Sequence, residues 1–280
     1  MKYFELLNEA TDLCRKNHKE DGAAKLLLLH VTKLESHILI AKLSEESPEF
    51  VVTQFNELIR KYVFENVPVQ HLTGVEYFFG YEFNVNEDVL IPRFETEELV
   101  NNILMTYDEL FAGKEVKVVD VGTGSGAIAI TLDLEEPNMN VIATDISNEA
   151  LEIARANNTK LGANVNFYQG DMLAPLKDRK FDIFVSNPPY IPAEEQVDSL
   201  VYDNEPHVAL FGGSDGLYFY RIILENAQKY LNETNFLAFE HAYDKGEEMV
   251  KLAKTYFPNS EVRLLKDLQG KDRMTIVINR

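Results

Sequence analysis

The tetrapeptide Asn187-Pro188-Pro189-Tyr190 is the clearest chemical signal in the sequence. It follows a mostly apolar run, residues 181–186, that reads as a buried strand. Proline restricts its own φ and pushes the preceding residue toward extended conformations. Asn187 is therefore expected to lie at the carboxyl end of a strand, where α/β folds place their ligands.

The chemistry of this tetrapeptide suits a planar NH2 group. Such a nitrogen is a poor nucleophile because its lone pair is delocalised into a carbonyl group or a ring. The Asn187 side-chain oxygen and the Pro188 carbonyl could both accept from it, orient it and favour the positive charge that develops as it takes up a methyl group. The Tyr190 ring could pack against the flat target. Asn187, Pro188 and Tyr190 are thus the catalytic candidates, and all four residues, with Pro189, are the substrate-binding candidates.

A glycine-rich loop, residues 120–126, follows an earlier strand candidate. Closely spaced glycines let a backbone turn sharply and approach a ligand without Cβ clashes. Asp145 ends the next strand about 20 residues after the last glycine, the usual spacing for an acid that binds ribose hydroxyls. Asp171 and Met172 stand at a third strand end, where they could contact an adenine ring.

Two cofactors are compatible with the glycine pattern. Gly122, Gly124 and Ala127 satisfy the loose dinucleotide fingerprint, so an NAD enzyme is one alternative. Asp120 favours S-adenosyl-L-methionine, with S-adenosyl-L-homocysteine as product, because a carboxylate there suits a cationic methionine end better than a pyrophosphate. The predicted cofactor-binding residues are Asp120, Gly122, Thr123, Gly124, Ser125, Gly126, Asp145, Asp171, Met172 and Asn187.

The elements that position these loops follow from periodicity. Helical spacing predicts early helices at residues 4–14, 22–31 and 36–43, then one that Ser47 caps. The aromatic run 77–85 predicts a hairpin, and Thr96 is expected to cap the helix after it. Strands are predicted at residues 116–121, 141–143, 165–168, 181–185, 236–239 and 274–278, and helices after Ser147 and at 217–231 and 246–256. This alternation predicts an α/β fold with a doubly wound sheet.

Composition narrows the class of protein. The chain has 280 residues, a formal net charge of −19 and one cysteine, so no disulfide can form within it. The charge disfavours direct nucleic-acid binding and would attract a basic partner. No apolar run is long enough to span a membrane and no signal peptide is evident, which predicts a cytoplasmic protein. The six histidines are scattered without ligand spacing, so no metal is expected.

Several stretches together resemble a known family. Residues 120–126, Asp145 and 187–190 look like the class I amino-methyltransferases, with their Rossmann-like sheet. Residues 70–74, 89–97, 205–206 with 209–210, 212–217 and 267–273 are similar to the HemK-type protein-(glutamine-N5) methyltransferases. The resemblance implies methyl transfer to the glutamine of the Gly-Gly-Gln motif of peptide-chain release factors. It implies a helical substrate-binding domain at 1–66, a β-hairpin linker at 67–92 and a methyltransferase domain at 93–280.

The sequence departs from the family pattern at three positions. Phe94 replaces a usual proline, Met172 stands where an aromatic residue is common, and Glu240-His241-Ala242 lacks the glycine that is usual soon after that acid. The first two are expected to soften cofactor packing, and none removes a residue from the proposed reaction. Two other readings stay open: an adenine-N6 methyltransferase acting on a flipped base, and a non-catalytic binding module that keeps the fold.

Overall fold

The computed structural model describes all 280 residues, which divide into two compact units. One unit comprises residues 1–75 and 197–204, and the other comprises residues 76–196 and 205–280. The helices are α1 (Tyr3–Lys16), α2 (Gly22–Thr32), α3 (Ser36–Ala41), α4 (Glu49–Phe64), α5 (Val69–Thr73), α6 (Phe94–Phe111), α7 (Ala127–Glu135), α8 (Asn148–Leu161), α9 (Ser199–Tyr202), α10 (Tyr218–Ala227) and α11 (Gly246–Tyr256). The strands are β1 (Val75–Phe78), β2 (Tyr81–Asn84), β3 (Val116–Val121), β4 (Met139–Asp145), β5 (Asn166–Gln169), β6 (Phe181–Ser186), β7 (Leu231–Glu240), β8 (Glu261–Lys266) and β9 (Asp272–Asn279).

The smaller unit is helical, as predicted. Helices α1, α2 and α4 bury one apolar face each around a common core that includes Leu6, Leu27 and Phe55. The predicted Ser47 cap is wrong: Pro48 is the N-cap of α4, and the buried Ser47 hydroxyl has no hydrogen-bond partner. Proline supplies the extended geometry that a helix entry needs but no side-chain acceptor.

The larger unit is built on a seven-stranded sheet with the order β5-β4-β3-β6-β7-β9-β8. Strands β3 to β7 run parallel, and β9 is antiparallel to both of its neighbours. The chain winds outward from β3 to β5 and then returns to place β6 on the other side of β3. Loops therefore diverge at the carboxyl ends of β3 and β6 and leave a crevice there, which is where doubly wound sheets bind ligands.

Both faces of the central strands of the sheet are buried. Successive residues of β3 alternate between the two cores: Val118 packs with α6 and α7, and Val119 packs with α10 and α11. This burial on two sides holds the central strand ends rigidly. None of the helices is long and apolar enough to span a membrane.

The structure corrects three details of the predicted elements. Thr96 is not a helix cap: Arg93 is the N-cap of α6, and Thr96 lies in its first turn with its hydroxyl turned to Glu240. Strand β8 was not predicted, and Leu231 begins β7 instead of ending a helix. The predicted hairpin is confirmed, and its turn residues Phe79 and Gly80 both have positive φ, as a tight two-residue turn requires.

Candidate active site

A cleft of roughly 810 Å³, open solvent included, lies over the carboxyl ends of β3, β4 and β6. Of the predicted site residues, it is lined by Gly122, Gly124, Asp145, Asp171, Met172, Asn187 and Pro189. The others, Asp120, Thr123, Ser125, Gly126, Pro188 and Tyr190, lie in the same loops without lining the cleft.

The three loop glycines do different work. All have positive φ, but a Cβ on Gly122 or Gly124 would meet no protein atom within 4 Å, whereas one on Gly126 would come 2.8 Å from Ile130. Gly122 and Gly124 therefore keep space open at the cleft, and Gly126 permits close packing of α7 and α8. The buried Asn157 holds the loop from behind, since its side chain donates to the Ser125 carbonyl at 2.9 Å.

Asp145 braces the same loop from β4. Its two carboxylate oxygens accept from the backbone N–H groups of Gly124, at 2.8 Å, and Ser147, at 2.9 Å. Burial raises the pKa of the Asp145 carboxyl, and the backbone donors oppose that rise. The carboxylate also lines the cleft, so its remaining lone pairs can accept from ligand hydroxyls.

Asp120 lies directly behind the loop and is fully buried. Its Oδ2 accepts from the Thr123 hydroxyl at 2.6 Å, and its Oδ1 has no hydrogen-bond partner. Burial raises the pKa of Asp120 to about 7. A buried carboxylate oxygen without a donor is costly, so this atom is a place where a bound cation or an ordered water would be favourable.

Asp120 should make stability depend on pH in a defined window. Its pKa is about 7 in the folded protein and near 3.8 in the unfolded chain, so the folded state binds the proton more tightly. The wild type then loses this contribution as pH rises from about 4 to about 7. Asp120→Asn cannot ionise, so its free energy of unfolding relative to wild type should increase over that window and level off above it. Urea titrations between about pH 4 and pH 7, without added ligand, measure this difference in the free energy of unfolding. A difference that does not change with pH would contradict the raised pKa of Asp120.

Asp171 and Met172 lie at the third predicted strand end, beyond β5. Both line the cleft, and Met172 has a positive φ that is unusual for a residue with a side chain. The Thr144 hydroxyl donates to the Met172 carbonyl at 3.5 Å and ties this turn to β4. Phe94, another departure from the family pattern, starts α6 with an exposed side chain and does not line the cleft.

The tetrapeptide leaves β6 as predicted. The Ser186 hydroxyl donates to the Val121 carbonyl at 2.6 Å and joins the ends of β6 and β3. Asn187 lines the cleft, and its Nδ2 donates to the Thr96 hydroxyl oxygen at 3.4 Å. The backbone hydrogen bonds of the loop leave the Pro188 carbonyl without a donor. Tyr190 packs against the core on the α10 side of the sheet, and burial raises the pKa of its hydroxyl.

A second loop, residues 212–216, packs against the backbone of the tetrapeptide and of the residues that follow it. The Ile191 carbonyl accepts from the Gly212 N–H at 2.8 Å, and the Gly213 carbonyl accepts from the Ala193 N–H at 2.9 Å. A Cβ on Gly212 would lie 2.4 Å from the Pro189 oxygen, and one on Gly216 would lie 2.3 Å from the Tyr190 oxygen. Only glycine allows the two backbones to approach this closely.

Several residues that hold the site in place were not predicted from the sequence. Thr96 and Glu240 meet behind Asn187, at 2.7 Å between the Thr96 hydroxyl and the carboxylate. Glu205 is buried, and its carboxylate accepts from the Ile91 N–H at 3.0 Å and from the Arg93 guanidinium at 2.5 Å. These two hydrogen bonds hold the neighbouring Leu90, which lines the cleft, in place. Thr96 and Glu205 lie in stretches that matched the family pattern, whereas Glu240 does not, and the contacts among these residues were not visible in the sequence.

Comparison with known proteins agrees with this architecture. Residues 96–204 match the Methyltransferase small domain family, and residues 5–74 match the PrmC N-terminal domain family. The chain is 46% identical over 276 residues to the Release factor glutamine methyltransferase of Bacillus subtilis, covering 96% of this chain and 95% of that protein. It is 41% identical over 278 residues to the protein of the same name from Bacillus cereus, covering 98% of each.

Solved structures show the same fold at lower identity. A methyltransferase from Pyrococcus furiosus superposes with a TM-score of 0.52 at 20% identity, covering 71% of this chain and 89% of that one. This likeness confirms the predicted methyltransferase-type α/β sheet.

Proposed function

Because the chain belongs to the release factor glutamine methyltransferases, we propose that it methylates the side-chain amide nitrogen of the glutamine in the Gly-Gly-Gln motif of peptide-chain release factors. The observation that carries this proposal is Asn187, held at the cleft beside the unpaired Pro188 carbonyl. Two acceptors at one strand end match the two N–H bonds of a primary amide.

We propose S-adenosyl-L-methionine as the methyl donor and S-adenosyl-L-homocysteine as the product. The chain fits this cofactor: the space above Gly122 and Gly124 is open, Asp145 offers carboxylate lone pairs to ribose hydroxyls, and Asp120 Oδ1 lacks a donor. Asp171 and Met172 would lie beside the adenine. Thr123, Ser125 and Gly126 would act indirectly, by holding the loop.

Within the reaction, the cofactor supplies a methyl group on a positively charged sulfur. Asn187 Oδ1 and the Pro188 carbonyl accept from the glutamine NH2 and turn its lone pair toward that methyl. They also stabilise the positive charge that develops on the nitrogen as the methyl group arrives. That positive charge makes the protons on the nitrogen acidic. One proton then leaves to solvent, so no dedicated base is required. The predicted packing of Pro189 and the Tyr190 ring against the flat amide stays a prediction; Pro189 lines the cleft and Tyr190 does not.

Asp145→Asn should weaken cofactor binding about 10-fold to 100-fold, the value of one or more hydrogen bonds to a charged acceptor. In the wild type both Asp145 oxygens accept from backbone N–H groups. In the variant one of those N–H groups would face the NH2 of the asparagine and lose its acceptor. Calorimetry with S-adenosyl-L-homocysteine measures the change. Asp133→Asn is a matched control, since Asp133 also accepts a backbone N–H, from Asn164 at 2.8 Å, but does not line the cleft. Equal affinities in the two variants would contradict the role of Asp145.

The function is tested by incubating the protein with methyl-labelled cofactor and a release factor. We expect one methyl per release factor, a mass gain of about 14 daltons, on the peptide that carries the Gly-Gly-Gln motif. A Gln→Ala change in that motif should abolish labelling, and equal labelling of both substrates would reject the proposal. Labelling of nucleic acid but not of protein would support the adenine-N6 alternative, which the net charge of −19 disfavours.

We also propose that the helical region, residues 1–66, contributes to binding the release factor, with 67–92 as linker and 93–280 as the catalytic domain. The match of residues 5–74 to the PrmC N-terminal domain family supports this division. Exposed large apolar side chains on the helical unit provide contact area, among them Leu26, Ile40, Phe50 and Phe64. A basic surface on the partner would complement the acidic charge of the chain.

A further inference from the structure

A buried carboxylate lies directly behind the proposed catalytic amide. Strands β6 and β7 are parallel neighbours, and Ser186 pairs with Phe239. Asn187 and Glu240 are the next residue on each side, so they lie beside each other at the carboxyl end of the sheet. The Glu240 side chain is 2% exposed and does not line the cleft. It is therefore set back from the surface that would hold the substrate and the cofactor.

Thr96 connects this carboxylate to Asn187. The Thr96 hydroxyl, 5% exposed on α6, donates to Glu240 Oε2 at 2.7 Å. Its single proton is used in that bond, so its oxygen can only accept from Asn187. The group that faces Thr96 must then be the Asn187 NH2, whose Nδ2 lies at 3.4 Å.

The direction of these hydrogen bonds determines which way the Asn187 amide points. With the NH2 turned inward, Oδ1 points away from Thr96 within the amide plane, and Asn187 lines the cleft. With Glu240 ionised, a flipped amide would turn Oδ1 toward the Thr96 oxygen and the carboxylate, which then offer no proton, and would present donors to a substrate that is itself a donor.

We propose that Glu240, acting through Thr96, is a positioning residue that fixes the Asn187 amide with its oxygen toward the substrate nitrogen. This inference rests on the proposed function, because the orientation matters only if Asn187 accepts from an NH2 group.

The electrostatic surroundings of Glu240 agree with this role. Burial raises the pKa of Glu240 to about 7, while Thr96, Arg273 and the Asn187 amide oppose that rise by stabilising the charged form. The Thr96 hydroxyl is the donor bonded to the carboxylate, and Arg273 acts on it through its charge. The Tyr220 hydroxyl also donates to the Glu240 backbone carbonyl at 2.6 Å and holds the residue in place.

Thr96→Val removes the hydroxyl at nearly constant volume. We expect kcat for release-factor methylation to fall about 10-fold to 100-fold, because a misoriented acceptor no longer aligns the nitrogen. The KM for the cofactor should stay within about threefold, since no cofactor-binding residue changes. Thr96→Ser, which keeps the hydroxyl, should recover most of the turnover.

Thr106→Val is the matched control. Thr106 is also buried on α6, but its hydroxyl donates only to the Asn102 carbonyl of its own helix. It should keep wild-type kcat. Glu240→Gln tests the other end of the chain of hydrogen bonds. It retains the side-chain shape, but in one orientation its NH2 would donate to the Thr96 oxygen and free the Thr96 proton for Asn187 Oδ1, so kcat should fall about tenfold.

A double-mutant cycle separates positioning from general stability. In an Asn187→Ala background, Thr96→Val should cause no further loss of kcat, because no amide remains to be oriented. An equal loss in both backgrounds would overturn the proposal, as would wild-type kcat in Thr96→Val, or a loss confined to Glu240→Gln. If the wild type itself does not methylate a release factor, the proposed function fails instead, so the two failures are distinguishable.

Discussion

Asn187→Ala is expected to reduce turnover by about a hundredfold to a thousandfold, the usual effect of removing one well-aimed dipole at a reacting centre. The variant loses the side-chain acceptor and leaves only the Pro188 carbonyl, so a bound amide could rotate away from the alignment that transfer needs. Cofactor affinity should change little, because Asn187 forms only one edge of the cleft. Single-turnover rates measure the chemistry, and calorimetry with S-adenosyl-L-homocysteine measures binding.

Asn101→Ala provides the control for this result. Asn101 is exposed on α6, and the hydrogen bond of its side chain goes to Met105 within its own helix. Its removal should leave both quantities at wild-type values. If Asn187→Ala retained turnover within about threefold of wild type, the acceptor mechanism would be rejected.

Gly216→Ala is expected to have the second large effect, on stability and turnover together. A Cβ on Gly216 would lie 2.3 Å from the Tyr190 oxygen and 3.3 Å from its carbonyl carbon, and the φ of +76° is strained for alanine. Backbone atoms cannot rotate away as a side chain can, so the tetrapeptide itself must move. We expect a loss of roughly 3 kcal/mol in the free energy of unfolding from strain and overlap combined. Turnover should fall about a hundredfold even where the protein stays folded.

Gly162→Ala separates the effect of steric overlap at the new Cβ from the effect of backbone strain at positive φ. Gly162 has nearly the same φ, +74°, but a Cβ there meets nothing within 4 Å. Its cost should be about 1 kcal/mol, and turnover should be unchanged. Denaturant titration and steady-state kinetics on both variants measure the difference. Similar losses in the two variants would mean that the close approach of residues 212–216 does not hold the tetrapeptide.

Much of the fold was readable because its causes are local. Proline at 188 and 189 and glycine in residues 120–126 restrict or free the backbone within a few residues, so the loops could be assigned to strand ends without a structure. Apolar runs marked the central strands, which are buried on both faces. Strand β8 was missed because it is a half-exposed edge strand that carries Glu261, Arg263 and Lys266, and its pattern is weak.

The sequence by itself therefore determined the kind of chemistry, the loops that carry it and the family resemblance. Only the tertiary structure decided how those loops are held. Thr96 and Glu240 are 144 residues apart, and Thr96 and Asn187 are 91 apart, yet they meet behind the cleft. The strand order brings β6 beside β7 and lets residues 212–216 approach the Tyr190 carbonyl. Periodicity reports which face of an element is buried but not which distant element buries it, so the supports of Asn187 became visible only in the folded chain.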